Sequence, residues 1–227
     1  MSKRYCLALF FLLVLHCFGN VRVVCTAALT DAYFEFRKQQ YIESFGILNN
    51  YGINDLYIIE ALKKSGPTFL EEYSSNVFYA TVNNIRFINN GANEAATFRE
   101  GLEYFKFDDD DMIIKFTGRH QLTSDYLLRL VEDNPDYDAF VRMNSEGHVY
   151  ALCFAMRFKY LKEMYDYIDF NDIGLSNRPI EHDMGSFIKL KLKDNRFKIF
   201  YFQRFYIKAN IFGSTITPCF VDRIQYY

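Results

Sequence analysis

Short runs of β-type residues alternate along this chain with segments whose apolar residues recur at helical spacing, and that alternation limits the fold more than any other feature. Val21–Leu29 is an apolar run of the kind a strand buried on both faces requires. Ala32–Asn49 follows, with Tyr33, Phe34, Tyr41, Phe45 and Leu48 at helical intervals and a stop near Gly52. Asp55–Leu62 and Asn76–Val82 read as the next strands, separated by Ser65-Gly66-Pro67. Asn93–Phe105 reads as a helix with Phe98, Leu102 and Phe105 on one face, and Met112–Phe116 as a strand. Thr123 is placed to cap a helix over Ser124–Glu132. Tyr137–Met143 and Val149–Arg157 read as adjacent strands joined through Asn144–Gly147. Tyr160–Ile168 reads as a helix, and Pro179 as the start of another over Ile180–Leu192. The aromatic stretch Phe197–Phe212 is one strand or two. Units of this βαβ kind predict an α/β fold: a mixed, mostly parallel central sheet flanked by helices.

With 227 residues, half of them apolar, the chain has enough material for one well-buried core and too little for two domains and a linker. Residues 20–227 are therefore read as a single domain. The net charge of −2, with no basic stripe, argues against a nucleic-acid partner. No long stretch lacks apolar residues, which argues against disorder.

Residues 1–19 stand apart. Lys3 and Arg4 precede an apolar run from Cys6 through Phe18, and Cys17 and Gly19 offer small residues before Asn20. The run of about 13 residues is shorter than the roughly 20 of a membrane-spanning helix. A signal peptide is expected, placing the protein in the secretory lumen or outside the cell. A short hydrophobic anchor, with membrane contact through residues 1–20 alone, and a buried hydrophobic start are the other readings. Loss of this leader removes Cys6 and Cys17 and leaves Cys25, Cys153 and Cys219, an odd number that cannot all pair within one chain. Cys25 and Cys153 lie in apolar strand-like runs, where buried free thiols are expected.

Four motifs carry chemistry. Asp108-Asp109-Asp110-Asp111 has the oxygen donors for a hard cation. It precedes its strand, however, and ligands of open parallel sheets gather beyond the carboxyl ends, so a solvated acidic loop is expected and no metal site. Lys115, Thr117, Gly118, Arg119 and His120 occupy that carboxyl end: a planar donor fork, a point charge and a glycine where backbone can approach a ligand. The alternative is a structural salt bridge. Asn90, Asn93 and Glu94 lie where a turn enters a helix and offer either ligand contacts or, through Asn93, a cap. Glu181 and Asp183 lie in a first helical turn, suited to the helix dipole or to service as a general base.

This order of parts, with Asn89-Asn90-Gly91-Ala92-Asn93-Glu94-Ala95 leading into its helix and Ile114–His120 closing a strand, resembles the nucleotide half of the GT-A glycosyltransferase superfamily. The resemblance implies a nucleotide-sugar donor, a hydroxyl-bearing acceptor, and transfer of the sugar between them. It implies donor contacts from Thr26, Asn90, Asn93, Glu94, Lys115, Thr117, Gly118, Arg119 and His120, and a catalytic carboxylate at Glu181 or Asp183. Thr117-Gly118-Arg119 stands where that superfamily carries Asp-x-Asp. That departure implies that no divalent metal and no cofactor beyond the donor are required, with Arg119 and Lys115 neutralising the leaving diphosphate. A secreted binding protein that keeps the fold without the chemistry is the alternative.

Overall fold

Strand β1 (Val21–Ala27) is central because its side chains are apolar on both faces. Val23, Cys25 and Ala27 enter one core layer and Val24 the other. The computed structural model describes residues 19–31, 34–63, 65–81, 89–176 and 178–210, with the backbone of Cys219–Phe220. Of the expected leader, residues 1–19, all but Gly19 lie outside the described residues. Among the described residues no helix is long and apolar enough to cross a membrane.

A seven-stranded sheet runs in the order β3-β2-β1-β4-β7-β6-β8, formed by β2 (Leu56–Glu60), β3 (Asn76–Tyr79), β4 (Met112–Thr117), β6 (Ala139–Val141), β7 (Cys153–Arg157) and β8 (Ile199–Tyr201) with β1. Every strand is parallel to its neighbours except β7, which pairs antiparallel with β4 and β6. Helices α1 (Phe34–Asn50) and α3 (Tyr126–Asp133) cover one face through Tyr41, Phe45, Leu48, Leu127 and Val131. Helices α2 (Asn90–Phe105), α4 (Phe158–Tyr167), α5 (Phe170–Ser176) and α6 (Ile180–Lys191) pack on the other. Full burial of a side chain such as Phe98 on α2 contributes about 1.5–3 kcal/mol.

Strand alternation decides what reaches the α2 face. Met112, Ile114 and Phe116 of β4 join the α1 layer, which turns Ile113, Lys115 and Thr117 toward α2. A second sheet, β10-β9-β5, joins β5 (Gln121–Leu122), β9 (Ile207–Ala209) and β10 (Cys219–Phe220) just past the end of β4. The aromatic stretch Phe197–Phe212 thus divides, β8 going to the large sheet and β9 to the small one.

Several boundaries differ from expectation. Asn89, not Asn93, caps α2: its Oδ1 accepts from the amides of Gly91 (2.8 Å) and Ala92 (3.2 Å). Helix α3 begins at Tyr126, with Asp125 rather than Thr123 at the cap position. Strand β7 begins only at Cys153, because Tyr150 and Leu152 are held in a turn by bonds to Arg142 and Thr117. Helix α5 was not expected; Asp169 Oδ1 starts it by accepting from the amides of Asn171 and Asp172. Cys25 and Cys153 are buried free thiols, and burial pushes both upward in pKa, Cys153 to about 12.

Candidate functional site

The chain leaves β1 toward β2 and β3 on one side and returns to β4 on the other, so the connections after β1 and β4 diverge at their carboxyl ends. That divergence opens a crevice in sheets of this kind. A cavity of about 290 Å³ lies there, walled by Thr26, Ala27 and Ala28 after β1, by Arg37 and Tyr41 of α1, by the first turns of α2, and by Arg119. Of the residues singled out in the sequence, Thr26, Asn90, Asn93, Glu94 and Arg119 line it. Lys115, Thr117, Gly118, His120, Glu181 and Asp183 do not.

Lys115 lies behind the wall, 3% exposed at the side chain. Its three ammonium protons go to Glu94 Oε1 (2.6 Å), Thr117 Oγ1 (2.9 Å) and the Ala151 carbonyl (2.8 Å). Its charge therefore reaches the cavity through Glu94. Thr26 Oγ1 donates to the same Oε1 at 2.9 Å, and Thr117 Oγ1 lies 3.4 Å from it. Burial by itself raises the Glu94 carboxyl. The Lys115 ammonium and its hydrogen bond, then Arg119 and the Thr26 hydroxyl, overcome that and hold it at about 2. Glu94, 37% exposed, is thus a fixed carboxylate on the cavity wall.

On the facing side Arg119 is oriented by the small sheet. Its Nε donates to the Asn210 carbonyl (3.1 Å), and Asn210 Nδ2 donates to the Arg119 carbonyl (2.6 Å). Asn210 also donates its amide to His120 Nδ1 at 3.0 Å, which leaves the proton of the neutral imidazole on Nε2. Burial, then Arg119 and Lys115, depress His120 to about 3. Gly118 serves packing: a Cβ there would stand 2.9 Å from the Thr26 carbonyl and 3.2 Å from Phe45. Only glycine lets the turn after β4 lie this close to β1 and α1.

Two residues of this region escaped the reading of the sequence. Arg37 lines the cavity from α1, and its Nε is buried with no hydrogen-bond partner. The signal was its spacing: Arg37, Tyr41 and Phe45 share one helical face, so an arginine sits on the inward stripe. Glu60, fully buried at the end of β2, accepts from the amides of Leu29, Leu62 and Lys63 through one oxygen and so fixes both loops of the cavity wall.

The helix starts of α2 and α6 meet, since Asn89 Nδ2 donates to the Arg178 carbonyl at 2.9 Å. At α6, Asp183 is engaged by Arg178 (2.9 Å) and His182 (3.2 Å). Glu181 differs. Burial pushes its carboxyl upward and the nearby Glu94 adds to the rise, against its own amide, Lys115 and His148. His148 and His182 stack edge to face beside it, 5.3 Å between centroids.

The aspartate run lies at the amino end of β4, roughly 20 Å of strand from the cavity. Asp111 Oδ1 accepts from the Asn20 amide (2.7 Å) and Asp110 pairs with Lys159 (3.1 Å), so these carboxylates tie β1, β4 and α4 together. Among the described residues no group of three or more His, Cys, Asp or Glu is arranged to hold a metal ion.

No family model matches the chain, and no curated protein matches its sequence. Among solved structures it is similar to the galactosyltransferase LgtC, crystallised with donor and acceptor sugar analogues. The identity is 12% and the TM-score 0.45, over 79% of this chain and 72% of that one. It is also similar to the glycosyltransferase GlyE of Streptococcus pneumoniae TIGR4, at 15% identity and TM-score 0.43, over 81% of this chain. The match spans 46% of GlyE. At this level of likeness, function has to be argued from the site itself.

Proposed function

We propose that this chain is a glycosyltransferase of the GT-A type that binds a nucleotide-sugar donor in the cavity between β1 and β4 and passes the sugar to a hydroxyl acceptor. The observation that carries this reading is the presence of a guanidinium, Arg119, and an ionised carboxylate, Glu94, on the walls of one cavity at the divergence of β1 and β4. A guanidinium suits the diphosphate, and an ionised carboxylate suits the hydroxyl or N–H donors of the nucleoside. Arg119 offsets the charge that grows on the diphosphate as the bond to the anomeric carbon breaks, so no divalent metal is needed.

Glu181 is the proposed base. A carboxyl raised by burial is a better proton acceptor than an ordinary one, whereas Asp183 is held by Arg178. The acceptor hydroxyl gives its proton to Glu181 and its oxygen bonds to the anomeric carbon. The bond from that carbon to the diphosphate oxygen breaks, and its electron pair departs on the nucleoside diphosphate. One observation favours the non-catalytic alternative: Glu181 is not among the residues lining the cavity.

Transfer and donor hydrolysis assays on Glu181→Gln and Asp183→Asn test this reading. Glu181→Gln is expected to lower turnover by about 100-fold or more while donor affinity stays unchanged, the scale of a lost general base. Asp183→Asn is expected to lower stability more than turnover. Full turnover in Glu181→Gln places the base elsewhere, and donor binding by the wild type without any turnover selects the binding protein.

A further inference from the structure

Arg37 and Arg119 enter the same cavity from different elements, α1 and the turn after β4. Among the described residues Arg119 donates its Nε to the Asn210 carbonyl and makes no other side-chain hydrogen bond. Arg37 Nε is buried and unbonded. Among the described residues neither guanidinium pairs with a carboxylate, and the acids around them are engaged. Glu94 is held by Lys115, Glu60 by three backbone amides through Oε1 with its Oε2 buried and unbonded, and Asp31 by Lys63. Tyr41, on the same cavity wall, uses its hydroxyl to accept the Ala28 amide. Burial and the neighbouring Arg119 both push the Arg37 guanidinium below its ordinary proton affinity, as expected of two cations on the wall of one cavity whose ionised carboxylate, Glu94, is hydrogen-bonded to Lys115. Such an arrangement is costly until an anion enters.

We infer that Arg37 and Arg119 together form a phosphate-binding subsite, with Arg37 supplying the second cation that the sequence assigns to Lys115. Two planar forks converging on one space suit a pyrophosphate or a phosphate monoester, whose oxygens accept bidentate hydrogen bonds. The inference deepens the nucleotide-sugar reading and rests on it only for the identity of the molecule that carries the phosphate. It makes Arg37 a determinant of anion affinity that acts without a metal.

Calorimetric titration with inorganic pyrophosphate in EDTA tests it, on the wild type, Arg37→Gln and Arg37→Lys. The wild type should bind, Arg37→Gln at least about tenfold more weakly, and Arg37→Lys between them, as for loss of a charge-assisted hydrogen bond. The ligand-free Arg37→Gln protein should melt no lower than the wild type, because it loses an unpaired cation. Equal pyrophosphate affinity in wild type and Arg37→Gln, or no binding by the wild type, overturns the subsite. UDP-, GDP- and CMP-sugars and a sugar 1-phosphate form the second arm. Pyrophosphate or sugar phosphate bound through Arg37, with every nucleotide sugar rejected, leaves the subsite standing and removes the nucleotide-sugar reading. A nucleotide sugar bound equally by wild type and Arg37→Gln does the reverse.

Discussion

His120 is a buried imidazole that the fold holds neutral. Its folded value of about 3 lies below the ordinary 6.5, so between those limits the unfolded chain takes up a proton that the folded chain refuses. Its contribution to stability is complete above pH 6.5 and is lost as pH falls toward 3. Glu94, held at about 2 against an ordinary 4.5, acts in the same sense but only below pH 4.5. His120→Asn, whose Oδ1 can still accept the Asn210 amide, should therefore flatten the loss of stability between pH 6.5 and 5. Urea midpoints at several pH values in that window decide it, and parallel slopes in the two proteins would show that His120 does not carry the effect.

The elements hold the site together through close approaches that sequence periodicity does not record. Gly185 of α6 lies against the Asn144–Gly147 turn, and a Cβ there would overlap the Gly147 carbonyl oxygen. Backbone cannot yield as a side-chain tip does. Gly185→Ala is expected to cost about 1–3 kcal/mol or more in urea unfolding, and to displace His148 from His182. Unchanged stability would mean that α6 and the turn move apart freely. The elements themselves were largely legible, since strands buried on both faces are apolar throughout and the amphipathic helices repeat at 3.6. Their ends were less so. Asn89, Asn90 and Asn93 are all competent caps, and a tertiary bond from Asn89 to the Arg178 carbonyl accompanies the one chosen. The division of Phe197–Phe212 between two sheets depends on partners distant in the chain.

For the whole molecule, the strand order brings Thr26, Asn90, Asn93, Glu94 and Arg119 to one cavity, and their position at the carboxyl ends of strands or the start of a helix made them visible in the sequence. Lys115 and Arg37 show what was not visible. A sequence reveals that a lysine ends a strand but not that Glu94, Thr117 and Ala151 consume its protons. Nor does it reveal that an arginine on the inner stripe of α1 opens into a cavity. The claim on which the rest depends is that this cavity binds a sugar nucleotide without metal. Thermal melting with UDP-, GDP- and CMP-sugars in EDTA, for the wild type, Arg119→Ala and Arg119→Lys, tests it most directly. One donor near 100-fold above its dissociation constant should stabilise the wild type by about 2.7 kcal/mol, roughly 5–10 °C for a chain of this size. Arg119→Ala should lose most of that shift, and Arg119→Lys should regain only part. A wild type unmoved by all three donors, or moved only when manganese is added and not once Asp109→Asn is introduced, would contradict it.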